Sequence, residues 1–204
     1  MDHIDKVVYI NLDRRADRRA EIEAELDRLG VPAEKRLRFP AIASPWGWVG
    51  CTKSHCEVVR MANAAGWSRV WILEDDWTAT VSPEVFHKAL SNPTIPTWDV
   101  LMVSSYVQAS EPVSECPLVR RGYNIQTASS YIVNGSFYDR LLGNLEEAVR
   151  GAESGGNHWD CINDQYWKRL QADRTTTWLY FSPALGKQRA SHSDLTGRYE
   201  DYGV

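Results

Sequence analysis

The sequence predicts an α/β protein, a Rossmann-type sandwich with a mostly parallel central sheet between helices. Three observations carry that expectation. Short β-branched runs alternate with helical periodicity in the order βαβαβ between residues 6 and 73. Start and stop signals mark the joints: Gly30 and Pro32 end the first helical pattern, and Ser82 followed by Pro83 opens another as N-cap and first helical residue. No internal repeat or low-complexity linker divides the chain, so residues 1–204 read as one domain.

The elements follow in order. KVVYINL (6–12) is the first strand, and in the segment RRADRRAEIEAELDRLG after it Ile22, Leu26 and Leu29 recur at helical spacing. RLRF (36–39) reads as a strand, GCTKSHCEVVRMANAAG (50–66) as a helix and VWIL (70–73) as a buried strand. SPEVFHKALSN (82–92) is a helix and WDVLMV (98–103) a strand. Residues 104–125 hold Pro112 and Pro117 with no clear period, which predicts a long loop or an irregular hairpin. SSYIVN (129–134) is a strand feeding the helix SFYDRLLGNLEEAVRG, WDCINDQYWKRLQ (159–171) a further short helix, and TTTWLYF (175–181) the last strand. Residues 182–204 are polar and aperiodic, a tail expected to close over the site.

Composition excludes several classes. With 43% hydrophobic and 25% charged residues the chain is ordinary for a globular protein. Lys and Arg total 23 against 27 Asp and Glu, a net charge of -4, so no general nucleic-acid-binding face is advertised. A local basic cluster remains in Arg14, Arg15, Arg18 and Arg19. No apolar run reaches the length of a membrane span and the first residues do not form a signal core, which predicts a cytoplasmic protein. Cys51, Cys56, Cys116 and Cys161 lack C-x-x-C spacing and read as free thiols. Nine Trp residues serve either a core or stacking on sugars and bases, with Trp46, Trp48, Trp159 and Trp167 in or near loops.

The stretch RVWILEDDWTAT concentrates the chemistry. Glu74, Asp75 and Asp76 follow an apolar strand, where ligands sit in open α/β sheets. Adjacent carboxylates repel, and a divalent cation relieves them; hard oxygen ligands suit Mn²⁺ or Mg²⁺. A solvated acidic loop is the plain alternative. E-D-D-W-T also sits in the frame of the haloacid-dehalogenase D-x-D-x-T signature, but Glu74 stands where that chemistry needs an aspartate nucleophile.

Four stretches in order, VYINLDRRADRR, GCTKSHCEVVR with ILEDD, QTASSYIVNGSFYDRLL and SPALGKQRASHSDL, together resemble glycosyltransferase family 25. The resemblance spans roughly residues 6–197. It implies a GT-A fold, a nucleotide-sugar donor (UDP-galactose or UDP-glucose), inversion at the anomeric carbon and a Mn²⁺ or Mg²⁺ cofactor. By resemblance Asp76 is the leading metal ligand, with Glu74 or Asp75 holding the ribose or a metal-bound water. His192 is implied as a further metal ligand from the C-terminal segment.

Arg14 and Arg18 suit the donor diphosphate, and Asn11 and Asp13 its base or ribose, although Asp13 and Asp17 equally suit a helix cap. The family carries a Ser-His at Ser54 and His55; a lone His is more often packed or capping. Lys187 and Gln188 reach toward the phosphates, or else lie in a solvated tail. Inversion needs a base, for which Asp160, at the place of the family's Pro-Val-Asp, and Asp164 are the candidates. They share one face if residues 159–171 form a helix. HWD at 158–160 departs from that family motif. The acceptor is most simply a saccharide; a hydroxylated protein side chain and a hydroxymethylated DNA base offer the same hydroxyl. The competing expectation is a non-catalytic nucleotide-sugar- or carbohydrate-binding protein that retains the fold.

Overall fold

The computed structural model describes residues 1, 3–193, 197–201 and 203; the Asp194–Leu195 end of the SHSDL motif lies outside the described residues. Strand β1 (Lys6–Asn11) is buried along nearly its whole length, as expected of a strand covered on both faces. Helix α1 (Ala16–Arg28) carries it over to β2 (Arg36–Pro40), and α2 (Gly47–Ala64) leads from there to β3 (Arg69–Glu74). Both β2 and β3 pair with β1 in parallel.

After the acidic turn come β4 (Trp77–Ala79) and α3 (Pro83–Leu90), whose N-cap Ser82 accepts from the Val85 amide at 3.3 Å. The chain continues through β5 (Val100–Met102), β6 (Tyr106–Pro112), β7 (Val119–Gln126), β8 (Ser130–Asn134) and α4 (Tyr138–Glu153). Three short helices follow, α5 (His158–Cys161), α6 (Asn163–Tyr166) and α7 (Lys168–Ala172), then β9 (Trp178–Phe181). Strands β10 (Gly186–Gln188), β11 (Ser191–His192) and β12 (Tyr199–Glu200) complete the described chain.

The main sheet has eight strands in the order β2-β1-β3-β8-β5-β9-β7-β6. Tracing the pairings across it, β7 and β8 run against the other six strands, so the sheet is mostly parallel in direction. Two cores cover its faces. Trp71, Trp77 and Phe86 pack with Ile22 and Leu26 of α1 on one. Val58 and Val59 of α2, Leu141 and Leu145 of α4, Tyr131 and Trp167 fill the other. Among the described residues no helix is long and apolar enough to cross a membrane, and the four cysteines are free.

One sequence expectation fails, the single helix over 159–171, and two are resolved more finely. Residues 104–125 are a bulged antiparallel hairpin, β6 with β7, that widens the main sheet. Its outer strand keeps Pro112, which an edge tolerates because no further strand needs its amide. The expected helix over 159–171 is broken into three, because Ile162 is extended at φ -71°, ψ 143° and the Asn163 amide is drawn to Thr52 Oγ1 at 3.2 Å. The polar tail is ordered where described: β10 pairs antiparallel with β4, and β11 with β12.

The β4–β10 pair is locked by a missing side chain. A Cβ on Gly186 would fall on the indole of Trp77, which is fully buried and edge-on to Trp71 at 5.4 Å. Gly186→Ala is therefore expected to destabilise by about 1–3 kcal/mol, the usual cost of overpacking a rigid core, read as an earlier midpoint in urea unfolding. An unchanged midpoint would show that β10 can lift off Trp77.

Candidate functional site

The carboxyl ends of β1 and β3 point into one cavity of about 340 Å³. Arg14 and Arg18 line it from the start of α1, Cys51, Ser54 and His55 from α2, the whole acidic triplet from the end of β3, and Gln188 and Ser193 from the tail. The parallel order explains the convergence, since each crossover returns the chain to the same edge of the sheet.

Inside it the carboxylates are held unequally. Arg18 is buried, and its Nη1 donates to Asp75 Oδ1 at 3.0 Å and Asp76 Oδ2 at 3.2 Å. Its Nη2 donates to Ser191 Oγ at 2.6 Å and the His192 carbonyl at 2.9 Å, tying the tail to the triplet. Asn11 Nδ2 adds a bond to Asp75 Oδ2 at 2.7 Å. Arg189 braces the turn from outside, giving Nη2 to the Asp75 carbonyl at 2.6 Å and its amide to the Asp76 carbonyl at 2.7 Å.

These surroundings separate the three groups. Burial pushes the Asp76 carboxyl up to about 7, with the charge of Glu74 raising it further against Arg18. Asp75 is also raised by burial, though Asn11 and Arg18 pull it back. Glu74 is half-buried, which raises its carboxyl, yet His55, Cys51 and Arg18 hold it below its ordinary range. His55 Nε2 lies 3.1 Å from Glu74 Oε1, and its Nδ1 2.9 Å from the Tyr131 hydroxyl. Cys51 Sγ donates to the same Glu74 oxygen at 3.6 Å, and Gln188 Nε2 to Oε2 at 3.3 Å.

A second cavity, of about 400 Å³, shares Cys51, Glu74 and Gln188 with the first. Tyr106, His158 and Trp159 give it an aromatic side, and Trp159 is 70% exposed. Asp164 lines it, and burial raises its carboxyl although the Thr127 amide donates to Oδ2 at 3.0 Å. Thr127 itself sits at φ 81°, a left-handed conformation that a β-branched residue seldom adopts and that this bond helps to hold.

The remaining sequence candidates divide. With the helix broken, Asp160 and Asp164 do not share a helical face: Asp160 is exposed, bonded to Asn157 and outside both cavities. Asp13 is exposed and paired with Arg38 at 2.5 Å, and Lys187 is exposed on β10; neither lines a cavity. Asn11 stands behind the triplet, and Ser54 Oγ bonds the Ile42 amide at 2.8 Å and the Gly50 carbonyl at 2.7 Å, fixing the cavity wall. His192 is exposed and meets the cluster through its carbonyl. Trp167 is core, fully buried with Nε1 on the Ile125 carbonyl at 2.9 Å. Sequence reading passed over Cys51, Tyr131 and Arg189. Cys51 lies four residues before His55 and Arg189 in the KQR of the quoted tail, signals that were present, whereas Tyr131 is set by strand pairing.

No protein-family model matches the chain, and no curated protein matches it. Among solved structures it is similar to a mannose-1-phosphate geranyltransferase from Thermus thermophilus, at 12% identity over 88% of this chain and 73% of that one, TM-score 0.52. Mouse xyloside xylosyltransferase 1 matches at 8% identity over 84% and 71%, TM-score 0.38. The first likeness shows the fold: a GT-A-like, nucleotidyltransferase-type α/β sandwich.

A cation suits the residues present. Asp76 Oδ1 is buried without a hydrogen-bond partner, and Arg18 sets one positive charge against three carboxylates. Asp76 therefore controls a pH response. Its folded value lies above the unfolded one, so the folded chain binds the extra proton, and stability present at low pH is lost as pH rises from about 4 to about 7. In chelator-treated protein Asp76→Asn should lose less stability than wild type over that window, measured by urea unfolding near its two ends. Parallel losses would assign the slope to other groups.

Proposed function

We propose that this chain is a metal-dependent inverting glycosyltransferase of the family-25 kind, moving galactose or glucose from a UDP-sugar to an acceptor hydroxyl. The observation that carries the reading is the pair of cavities meeting at Glu74: one holds the acidic triplet with Arg14 and Arg18, the other a half-buried carboxylate and an exposed indole. The ordered sequence motifs support the family, and the GT-A-like sheet supports the chemistry class by analogy alone.

In this reading the donor occupies the first cavity. Asp76 and Glu74 would hold Mn²⁺ or Mg²⁺, which when bound supplies positive charge to a departing diphosphate. Arg14 faces the same space and adds its own charge there. Arg18 keeps Asp75 and Asp76 in place, and Ser54 holds the wall. The acceptor enters the second cavity, where the face of Trp159 suits the C–H face of a saccharide. Asp164 then takes the proton of the attacking hydroxyl; a carboxylate raised by burial is the better base for it. This moves the base from Asp160 to Asp164, on cavity lining. A saccharide is favoured over a hydroxylated protein side chain by the exposed Trp159 face that lines that cavity, and over a hydroxymethylated DNA base by the net charge of -4.

One observation favours a second reading, a nucleotide-sugar-binding protein without turnover: Arg18 already pairs with two of the three carboxylates. Incubation with a panel of nucleotide sugars, with and without Mn²⁺, separates the two. Slow Mn²⁺-dependent donor hydrolysis supports the enzyme, and tight donor binding with no turnover on any acceptor supports the binding protein.

Two variants sharpen this. Asp164→Asn keeps an oxygen for the Thr127 amide, so it should fold and bind donor near normally while transfer falls by about 10²- to 10⁴-fold; wild-type turnover would exclude Asp164, and Asp160→Asn run beside it should stay near wild type. Asp76→Asn should lose Mn²⁺-dependent donor binding in calorimetry, and unchanged affinity would remove Asp76 from the metal site.

A further inference from the structure

Cys51 and His55 meet Glu74 of the triplet in the wall between the cavities, and the transferase reading gives the thiol and the imidazole no task. Their ligand atoms all lie within 4.8 Å of one another. Two of the separations are short: His55 Nε2 to Glu74 Oε1 is 3.1 Å, and Cys51 Sγ to the same oxygen is 3.6 Å. A tetrahedral zinc ion, with bonds of about 2.0–2.1 Å to nitrogen or oxygen and about 2.3 Å to sulfur, needs its ligands about 3.3–3.6 Å apart.

We propose that Cys51 Sγ, His55 Nε2 and Glu74 Oε1 form a site for a soft or borderline divalent cation, of which Zn²⁺ is the type, adjoining the proposed hard-cation position at Asp76 and sharing only Glu74 with it. The donor set is the first support: thiolate and imidazole select such ions over Mn²⁺ and Mg²⁺. Local structure is the second. Cys51 and His55 are one turn apart on α2, which sets both on one side of the helix. Third, His55 Nδ1 is held by the Tyr131 hydroxyl at 2.9 Å, the partner on the far nitrogen that fixes a ligating imidazole. Finally, Cys51 and Glu74 line both cavities and His55 the first, so three protein ligands leave a fourth position facing open cavity.

Binding replaces a proton by the cation: the Cys51 S–H bond breaks, the proton leaves to solvent, the sulfur–metal bond forms, and water takes the fourth position. Nothing is oxidised. The site does not depend on the transferase reading, since it is defined by binding alone.

Titration of chelator-treated full-length protein with Co²⁺ tests it, because a cobalt–thiolate bond gives an intense near-ultraviolet charge-transfer band that oxygen ligands do not. One equivalent should raise the band, and one equivalent of Zn²⁺ should abolish it. Cys51→Ser should lose the band, and Asp76→Asn should keep it at wild-type stoichiometry. Tyr131→Phe should weaken Co²⁺ binding by about 10- to 100-fold, the usual cost of losing such a partner. No band in the wild-type chain overturns the proposal whatever the variants do. A band that survives Cys51→Ser, or disappears in Asp76→Asn with the fold intact by circular dichroism, also overturns it, by placing the cobalt elsewhere.

Discussion

The site depends on the buried guanidinium of Arg18. From one side chain it reaches Asp75 and Asp76 after β3 and Ser191 and His192 in the tail, so three distant parts of the chain meet on the terminal nitrogens of one residue. Burying a charge is costly unless it is paired and bonded, and breaking such a pair costs more than forming it returns. The arrangement therefore defines position more than it adds stability. Arg18 Nε has no partner, which leaves the group incompletely satisfied even here. Planar guanidinium geometry matters, because a lysine cannot address two carboxylates and two tail acceptors at once.

Around that fixed point, three neighbouring carboxyls acquire different characters. Glu74 is kept ionised by His55 and Cys51 on one oxygen and Gln188 on the other. Asp76, next but one along the chain, is pushed up by burial and by Glu74 itself. Pairs of carboxyls driven apart in this way mark functional sites across many folds. Here the separation follows from β3 ending at Glu74, so that the first carboxyl belongs to a strand facing α2 and the next two to a turn facing α1.

Most of the fold was legible because its elements are strongly patterned. The run at 70–73 is continuous and apolar, that at 129–134 centres on Tyr131, Ile132 and Val133, and both proved to be central strands. Ser82 before Pro83 signalled a helix start that the Val85 amide bears out. What failed was local pattern overridden by long-range contacts. Residues 159–171 read as one helix, but Asp160 to Asp164 are weak helix formers, Thr52, far away in sequence, captures the Asn163 amide, and the helix breaks at Ile162. The acidic triplet was legible as chemistry, since adjacent charges need a reason. Which carboxyl pairs with Arg18 was not, because that follows from how α1 docks on the strand ends. Asp160 looked the stronger base by motif position, and only the three-dimensional path of α5 and α6 shows Asp164 lining the cavity instead.

The tail residues that Arg18 holds follow the carboxylates it holds by roughly a hundred positions along the chain. A ribosome makes the protein from its N-terminus, and the sheet order needs β9, ending at Phe181, before β5 and β7 have a strand between them. Ser191 and His192 emerge later still. During synthesis the two carboxylates therefore precede the two tail acceptors of Arg18, which complete its set of bonds only once Ser191 and His192 have been made. Assembly of the pocket is in this sense ordered by sequence position, with the strands of the sheet made before the last contacts that Arg18 gathers.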